Sequence, residues 1–189
     1  NLTIIDDKLF CGHDKGTFLV DHESAQKISA VEGSWLFRQH PSKKNLIIQG
    51  NYDGLHVLEK KRTDWRYRNK IQGFDISSRF FVFASDFTVL ISHEYKGVFK
   101  LRLNEALTIA EESALETSVK KSYNSSIEAF DDEIYYRNSS GIYRYNSVKR
   151  AFDVDSLLSS YFTKEGYLTG KMINDGQGKL WLFSKDQLH

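Results

Sequence analysis

Apolar and polar residues alternate along most of this chain, in short runs broken by turn residues. The run from Ser34 reads "SWLFRQH", then "PSKK", then "NLIIQG", "NYD" and "GLHVLEK", and a further run follows as "WRYRNKI". Alternation over a few residues, bounded by Pro, Ser, Asn, Asp and Gly, predicts half-buried strands joined by tight hairpins. The phrase therefore predicts strand, turn, strand, loop, strand, loop, strand.

The phrase recurs. Gly16, Gly54, Gly97 and Gly141 each open a strand, at spacings of 38, 43 and 44 residues. Seven residues before each glycine stands an apolar strand residue: Leu9, Ile47, Leu90 and Ile134. Two residues after each stands a ring: Phe18, His56, Phe99 and Tyr143. Turn signals lie upstream at Asp6-Asp7, Pro41-Ser42, Ser85-Asp86 and Asp131-Asp132. A fifth copy opens at "MINDGQGKLWLF", with Leu180 as its anchor. Four antiparallel strands at this period are the signature of a β-propeller blade.

The expected fold is therefore all-β: four-stranded antiparallel propeller blades, about four and a half of them, in a single partial propeller domain over 1–189. The expected blades are 1–33, 34–74, 75–119, 120–165 and an incomplete 166–189. Two stretches depart from the pattern. "NEALTIAEESALE" (Asn104 to Glu116) reads as helical where an outermost strand belongs, so a loop or short helical excursion is expected there. "DSLLSSYF" (Asp155 to Phe162) is similarly ambiguous. A partial set of blades leaves a bare apolar face and unpaired edges. Completion by self-association, or by remaining blades of a larger propeller, is expected.

Composition narrows the classes. Of 189 residues, 14% are aromatic, which favours strands. The net charge of +1 gives no global attraction to nucleic acid or to an anionic membrane. The single Cys11 excludes an internal disulfide and a cysteine-rich metal site. No apolar run is long enough for a transmembrane helix, and no signal peptide opens the chain. Because the first residue is Asn1 rather than Met, a mature product or an excised segment is expected.

"NDGQGKLWLFSK" (Asn174 to Lys185) resembles the propeller repeat of bacterial two-component regulators. That repeat reads Asp, a spacer, Gly-Asn-Leu-Trp-Ile-Gly-Thr, a Gly pair, then Leu-Tyr. The Gly-Leu/Ile/Val-ring anchors resemble its second half. Only the fifth copy keeps Leu180-Trp181, and the Gly-Thr is absent from every copy. The resemblance implies a sensor: the periplasmic input region of a membrane-anchored regulator, with a histidine kinase or helix-turn-helix output for transcription regulation. It also implies a carbohydrate fragment as the signal. The output and any membrane attachment would lie outside this segment.

Candidate binding residues fall at the loops between second and third strands. In propellers these loops share a face with the fourth-to-first connections, and binding sites are built from loops on rigid scaffolds. The candidates are His13, Asp14, Asn51, Tyr52, Asp53, His93, Glu94, Tyr95 and Asn138. Their planar hydrogen-bonding groups and rings suit a hydroxyl-rich ligand such as an oligosaccharide. The plainer reading is ordinary turn chemistry, since Asn, Asp and Ser favour hairpin tips anyway.

Catalytic and metal signatures are weak. "HEYK" (His93 to Lys96) lacks the second His of a zinc-protease helix, and no Gly-x-Ser-x-Gly elbow occurs. Asp6-Asp7 and Asp131-Asp132 are the candidate paired carboxylates, but both lie in first-to-second strand turns, expected on the opposite face. "EKKRTDWRYRNK" (Glu59 to Lys70) interleaves cations with Trp65 and Tyr67, as single-strand nucleic-acid sites do. Alternation separates those rings from Arg66 and Arg68, and a charged outermost strand explains the run. No catalytic residue, metal or cofactor is assigned, and no direct nucleic-acid contact is expected. A ligand-sensing propeller is the leading expectation. A protein-interaction scaffold and a carbohydrate-active enzyme stand as alternatives.

Overall fold

Hairpins follow one another along the whole described chain. The structure is a computed structural model that describes residues 1–161, 166–185 and 188. The ends expected for the fourth blade, at 165, and for the fifth, at 189, lie outside the described residues.

The first antiparallel sheet comprises β1 (Leu2–Ile5), β2 (Lys8–His13), β3 (Gly16–Val20) and β4 (Ala25–Ser29), in that order. The second comprises β5 (Leu36–Gln39), β6 (Leu46–Asn51), β7 (Gly54–Lys61) and β8 (Asp64–Lys70), again in order. The third comprises β9 (Phe80–Ser85), β10 (Thr88–His93), β11 (Gly97–Leu103) and β12 (Ala110–Leu115). The fourth comprises β13 (Ser126–Phe130), β14 (Glu133–Asn138), β15 (Gly141–Asn146) and β16 (Ala151–Val154). A two-stranded sheet, β17 (Met172–Asn174) with β18 (Leu180–Leu182), holds the fifth copy. The fold is all-β, built of four-stranded propeller blades.

The turn signals have direct backbone counterparts. Asp6 and Asp7 sit at φ 51° and 56°, and Asp131 and Asp132 at 51° and 60°. Two successive left-handed residues make the turn whose twist matches paired strands, and Asp tolerates that conformation. Gly54 sits at φ +116°, and a Cβ there would overlap the Phe74 carbonyl oxygen. Only glycine fits this strand opening.

Two expectations are corrected. Ala110–Leu115 is a strand, not a loop or helix. Its Glu-rich sequence favours helix, but Arg102 ion-pairs with both Glu111 and Glu112, and the Ala110 and Glu116 amides donate to Gln72 and Val98 carbonyls. Tertiary pairing overrides weak local propensity here. The third sheet's anchor is also displaced. The loop from β10 to β11 has one more residue than that from β2 to β3, so Val89, not Leu90, occupies the strand position of Leu9. In the second stretch, Ser156–Ser160 forms the short helix α1, capped by Asp155, whose Oδ1 accepts from the Leu158 amide at 2.9 Å.

Contacts divide the chain into two units. The first holds Asn1–Arg79, Ser85–Thr88 and Leu101–Ser113. Its core is Phe10, Phe37, Ile47, Leu58 and Trp65, with Ile5, Leu19 and Ile28 packed against it. One face of the first sheet thereby seals against one face of the second. Each fully buried side chain of this size contributes about 1.5–3 kcal/mol of burial free energy.

The second unit holds Phe80–Ala84, Val89–Lys100 and Ala114–His189. Val82, Leu90 and Val98 pack there on Ile127, Tyr136, Tyr145 and Phe152. A smaller cluster joins Ile142 to Met172 and Leu182.

Candidate functional site

In the first unit, β2 and β6 each end in a two-residue loop before the next strand's glycine. The loops bring two candidates together: the Tyr52 hydroxyl donates to Asp14 Oδ1 at 2.8 Å. That hydrogen bond raises the Tyr52 pKa, because it favours the neutral phenol beside a carboxylate. The Tyr52 ring lies on the backbone of Gly33, where φ is +67° and a Cβ would overlap the ring. The ring also meets Trp35 edge-on, with centroids 5.4 Å apart. The Arg79 guanidinium stands 4.8 Å from the Trp35 ring centroid. Tyr52 is 47% exposed, so its outer face is open to solvent. The Trp35 indole N–H is buried and meets no acceptor among the described residues.

The neighbouring candidates serve other contacts. Asn51 is fully buried: its amide donates to the Glu32 carbonyl at 2.9 Å, and its Oδ1 accepts from Gln49 at 2.7 Å. Gln49 Oε1 accepts in turn from Thr17. Asn51 thus belongs to a satisfied interior network. Asp53 bridges His56 Nε2 at 2.9 Å and Lys70 Nζ at 3.0 Å. Burial raises the Asp53 pKa, but these two partners outweigh it and the net shift is downward. His56 is itself buried, and burial lowers its pKa against the opposing pull of Asp53. With Nε2–H donating to the carboxylate, Nδ1 faces the Tyr67 hydroxyl at 3.4 Å. His13 is exposed, and its Nδ1 accepts the Lys15 amide at 3.1 Å.

The second unit carries the other candidates. His93 Nδ1 accepts from the Tyr95 and Lys96 amides at 3.4 Å, which shapes the longer third tip. Burial lowers the His93 pKa. Its ring meets Tyr95 edge-on at 4.5 Å, and Tyr95 meets Tyr123 at 6.4 Å. Tyr95 and Tyr123 are 53% and 75% exposed. Glu94 is half-buried at the start of the turn. Asn138 is fully buried, donates to the Lys120 carbonyl at 3.1 Å and accepts the Ser140 amide at 2.8 Å.

Sequence reasoning missed Trp35, Arg79 and Tyr123. Arg79 and Tyr123 lie in connections between sheets, where no periodic pattern marks a residue, and Trp35, read with the strand run from Ser34, stands just before β5. The expectation that such connections share a face with the hairpin tips was the available signal.

Other candidate chemistry is absorbed by structure. Trp65 is buried in the first unit's core, so it offers no face to a base. Asp6 Oδ2 accepts Lys60 Nζ at 3.0 Å, which holds its carboxyl below the usual range. A shallow polar depression in the second unit is lined by Glu133, Arg144, Asn146 and Asp153, among others. Arg144 pairs there with Glu133 at 3.6 Å. No cluster of three metal-ligating side chains occurs, and no helix is long and apolar enough to cross a membrane, among the described residues.

No family model and no curated protein matches the chain. Solved structures do. The extracellular domain of the hybrid two component system BT3049 from B. thetaiotaomicron aligns with 100% of this chain and 26% of that one, at TM-score 0.63 and 13% identity. The WD40 β-propeller domain of Doa1 aligns with 99% of this chain and 60% of that one, at TM-score 0.63 and 10% identity. A Bacteroides fragilis protein named as a 6-phosphogluconolactonase (BF1038) aligns with 95% of this chain and 61% of that one, at TM-score 0.62 and 13% identity. The chain therefore spans about a quarter of the first and about three fifths of the other two. At these identities the shared property is the propeller fold. The two-component-regulator resemblance drawn from Asn174 to Lys185 reappears at that level.

Proposed function

We propose that this segment is a ligand-binding propeller module, the extracytoplasmic input region of a bacterial signal-transduction regulator, and that its ligand is an oligosaccharide. The observation that carries the reading is the Tyr52 cluster. It combines an open tyrosine face, a Trp35 ring, the Arg79 cation and the Asp14 carboxylate within one unit. Rings that stack and planar groups that hydrogen-bond are what a hydroxyl-rich ligand requires. Tyr95 and Tyr123 give the second unit a ring pair of the same kind. The likeness to an extracellular domain of a hybrid two component system supports the assignment to signalling.

In this reading the segment binds without turnover. Ligand binding favours one arrangement of the regulator over another, by as much as the ligand's affinity differs between them. Calorimetric titration against an oligosaccharide panel tests the reading. Heat of binding from at least one glycan, without chemical change to it, is the expected result. Absence of heat across the panel, together with a stable protein partner, would replace the sensor by an interaction scaffold. Glycan cleavage abolished by replacing one acid would replace it by an enzyme.

A further inference from the structure

The connection from β12 to β13 crosses the tips of the third and fourth sheets, and its backbone is pinned there. The Lys120 carbonyl accepts the Asn138 side-chain amide at 3.1 Å and the Tyr136 hydroxyl at 3.4 Å. Ser122 Oγ lies 2.6 Å from Ser139 Oγ and accepts the Ser139 amide at 3.3 Å. Lys121 stands beside Gly97, where an added Cβ would lie 3.4 Å from Lys121 Cβ. All of these residues belong to the second unit.

This fixed backbone holds a set of exposed side chains. Tyr123 and Tyr95 face each other with centroids 6.4 Å apart and planes 32° from parallel, and both rings are open to solvent. Tyr95 is steadied edge-on by the buried His93. Lys96 follows Tyr95, and Lys120 and Lys121 precede Tyr123. All three lysines are exposed, and none pairs with a carboxylate among the described residues. Arg144 and Lys149 of the same unit, by contrast, pair with Glu133 and Asp153. Over residues 93–97, 119–125 and 138–141, three lysines stand against one carboxylate, Glu94, which is half-buried. Like charges on neighbouring loops repel one another, and a bound anion relieves that repulsion.

We propose that the Tyr95–Tyr123 platform binds an acidic residue of the oligosaccharide, one bearing a carboxylate or a sulfate, with Lys96, Lys120 and Lys121 meeting its charge. The rings stack on the apolar face of the sugar. Lysine, a compact charge on a flexible stem, follows an anionic substituent without demanding one fixed geometry. The inference rests on the ligand-binding reading and adds the charge of the ligand. A nucleic-acid strand also offers rings and anions, but its affinity comes from many phosphate contacts, and a net charge of +1 supplies no such field.

Calorimetric titration of the whole chain with two matched pairs tests the proposal: tetragalacturonate against its methyl ester, and a sulfated galactose tetramer against its unsulfated form. A thymidine oligonucleotide is the further probe. At about 20 mM salt the acidic member of at least one pair should bind about three- to tenfold more tightly than its neutral partner. The pair that responds tells carboxylate from sulfate. The preference should fade at about 0.5 M salt, where exposed charges are screened. Lys121→Gln should weaken the acidic sugar about two- to fivefold and leave its neutral partner unchanged. Tyr123→Ala should weaken both alike, by about two- to tenfold. Both side chains are exposed, so the fold tolerates these changes. Equal binding within both pairs, or a preference that Lys121→Gln leaves intact, would overturn the proposal while the oligosaccharide reading stands. Binding by the oligonucleotide alone, or by none of the probes, would overturn both.

Discussion

The Tyr52 hydroxyl donates to Asp14 Oδ1 at 2.8 Å, joining a hairpin tip of the second sheet to one of the first. The partners are far apart in sequence, and what brings them together is the packing beneath: Phe10 of one sheet on Ile47 and Trp65 of the next. A rigid core therefore presents the ring that the ligand reading uses.

Gly33 holds that ring in place. Gly33→Ala puts a methyl group into the Tyr52 ring and a side chain at φ +67°. The expected loss is on the order of 1–3 kcal/mol in denaturant unfolding, with Tyr52 displaced from Asp14. An unfolding midpoint equal to that of wild type would contradict this placement of the ring.

Phe10 and Trp65 meet edge to face with centroids 5.6 Å apart, both in the sealed core. Phe10→Ala should cost about 3–5 kcal/mol. A double-mutant cycle with Trp65→Ala should return a coupling of about 0.5–1.5 kcal/mol, the share due to ring geometry. Strict additivity would place the two rings out of contact.

Burial lowers the pKa of His40, His56 and His93 from the ordinary 6.5. The unfolded chain binds these protons more readily than the folded one. Their contribution to stability is complete above 6.5 and is lost as the pH falls from there through the folded values. The contacts agree: Nδ1 of His40 accepts from the Ser42 and Lys43 amides, and Nδ1 of His93 from Tyr95 and Lys96. Protonation would break both sets. The melting temperature should therefore drop between about pH 7.5 and about pH 5, and His56→Gln should flatten that dependence. A melting temperature that rises over this interval would reverse the sign of the account.

Asp155 caps α1 through the Leu158 amide. Asp155→Ala should cost about 1 kcal/mol, and Asp155→Asn, which keeps the acceptor, much less. Equal losses in denaturant unfolding would assign the effect to charge rather than capping.

The hairpins were legible because their turns need particular residues. Asp6-Asp7 and Asp131-Asp132 occupy left-handed conformations that most side chains avoid, and Gly54 fits where no Cβ does. β12 was not legible, because Glu111 and Glu112 favour helix until Arg102 and strand pairing decide otherwise. The displaced third anchor had a local cause, one added tip residue, visible only once His93 and Gly97 bound the strands. Of the candidate site, the tips could be read, but their division of labour could not. Asn51 and Asn138 read as tip residues alongside Tyr52 and Tyr95, yet they close β6 and β14 and are fully buried. Which tip residue turns inward depends on the neighbouring sheet, and Trp35 and Arg79 reach the site only through that packing.

The most direct test is calorimetric titration of the best-binding glycan into wild type and into Tyr52→Ala, a change at an exposed ring. The account predicts measurable binding by wild type and a loss of at least about tenfold in affinity in the variant, or about 1.4 kcal/mol. Equal affinity in the two proteins, or no binding by wild type to any glycan, would contradict it.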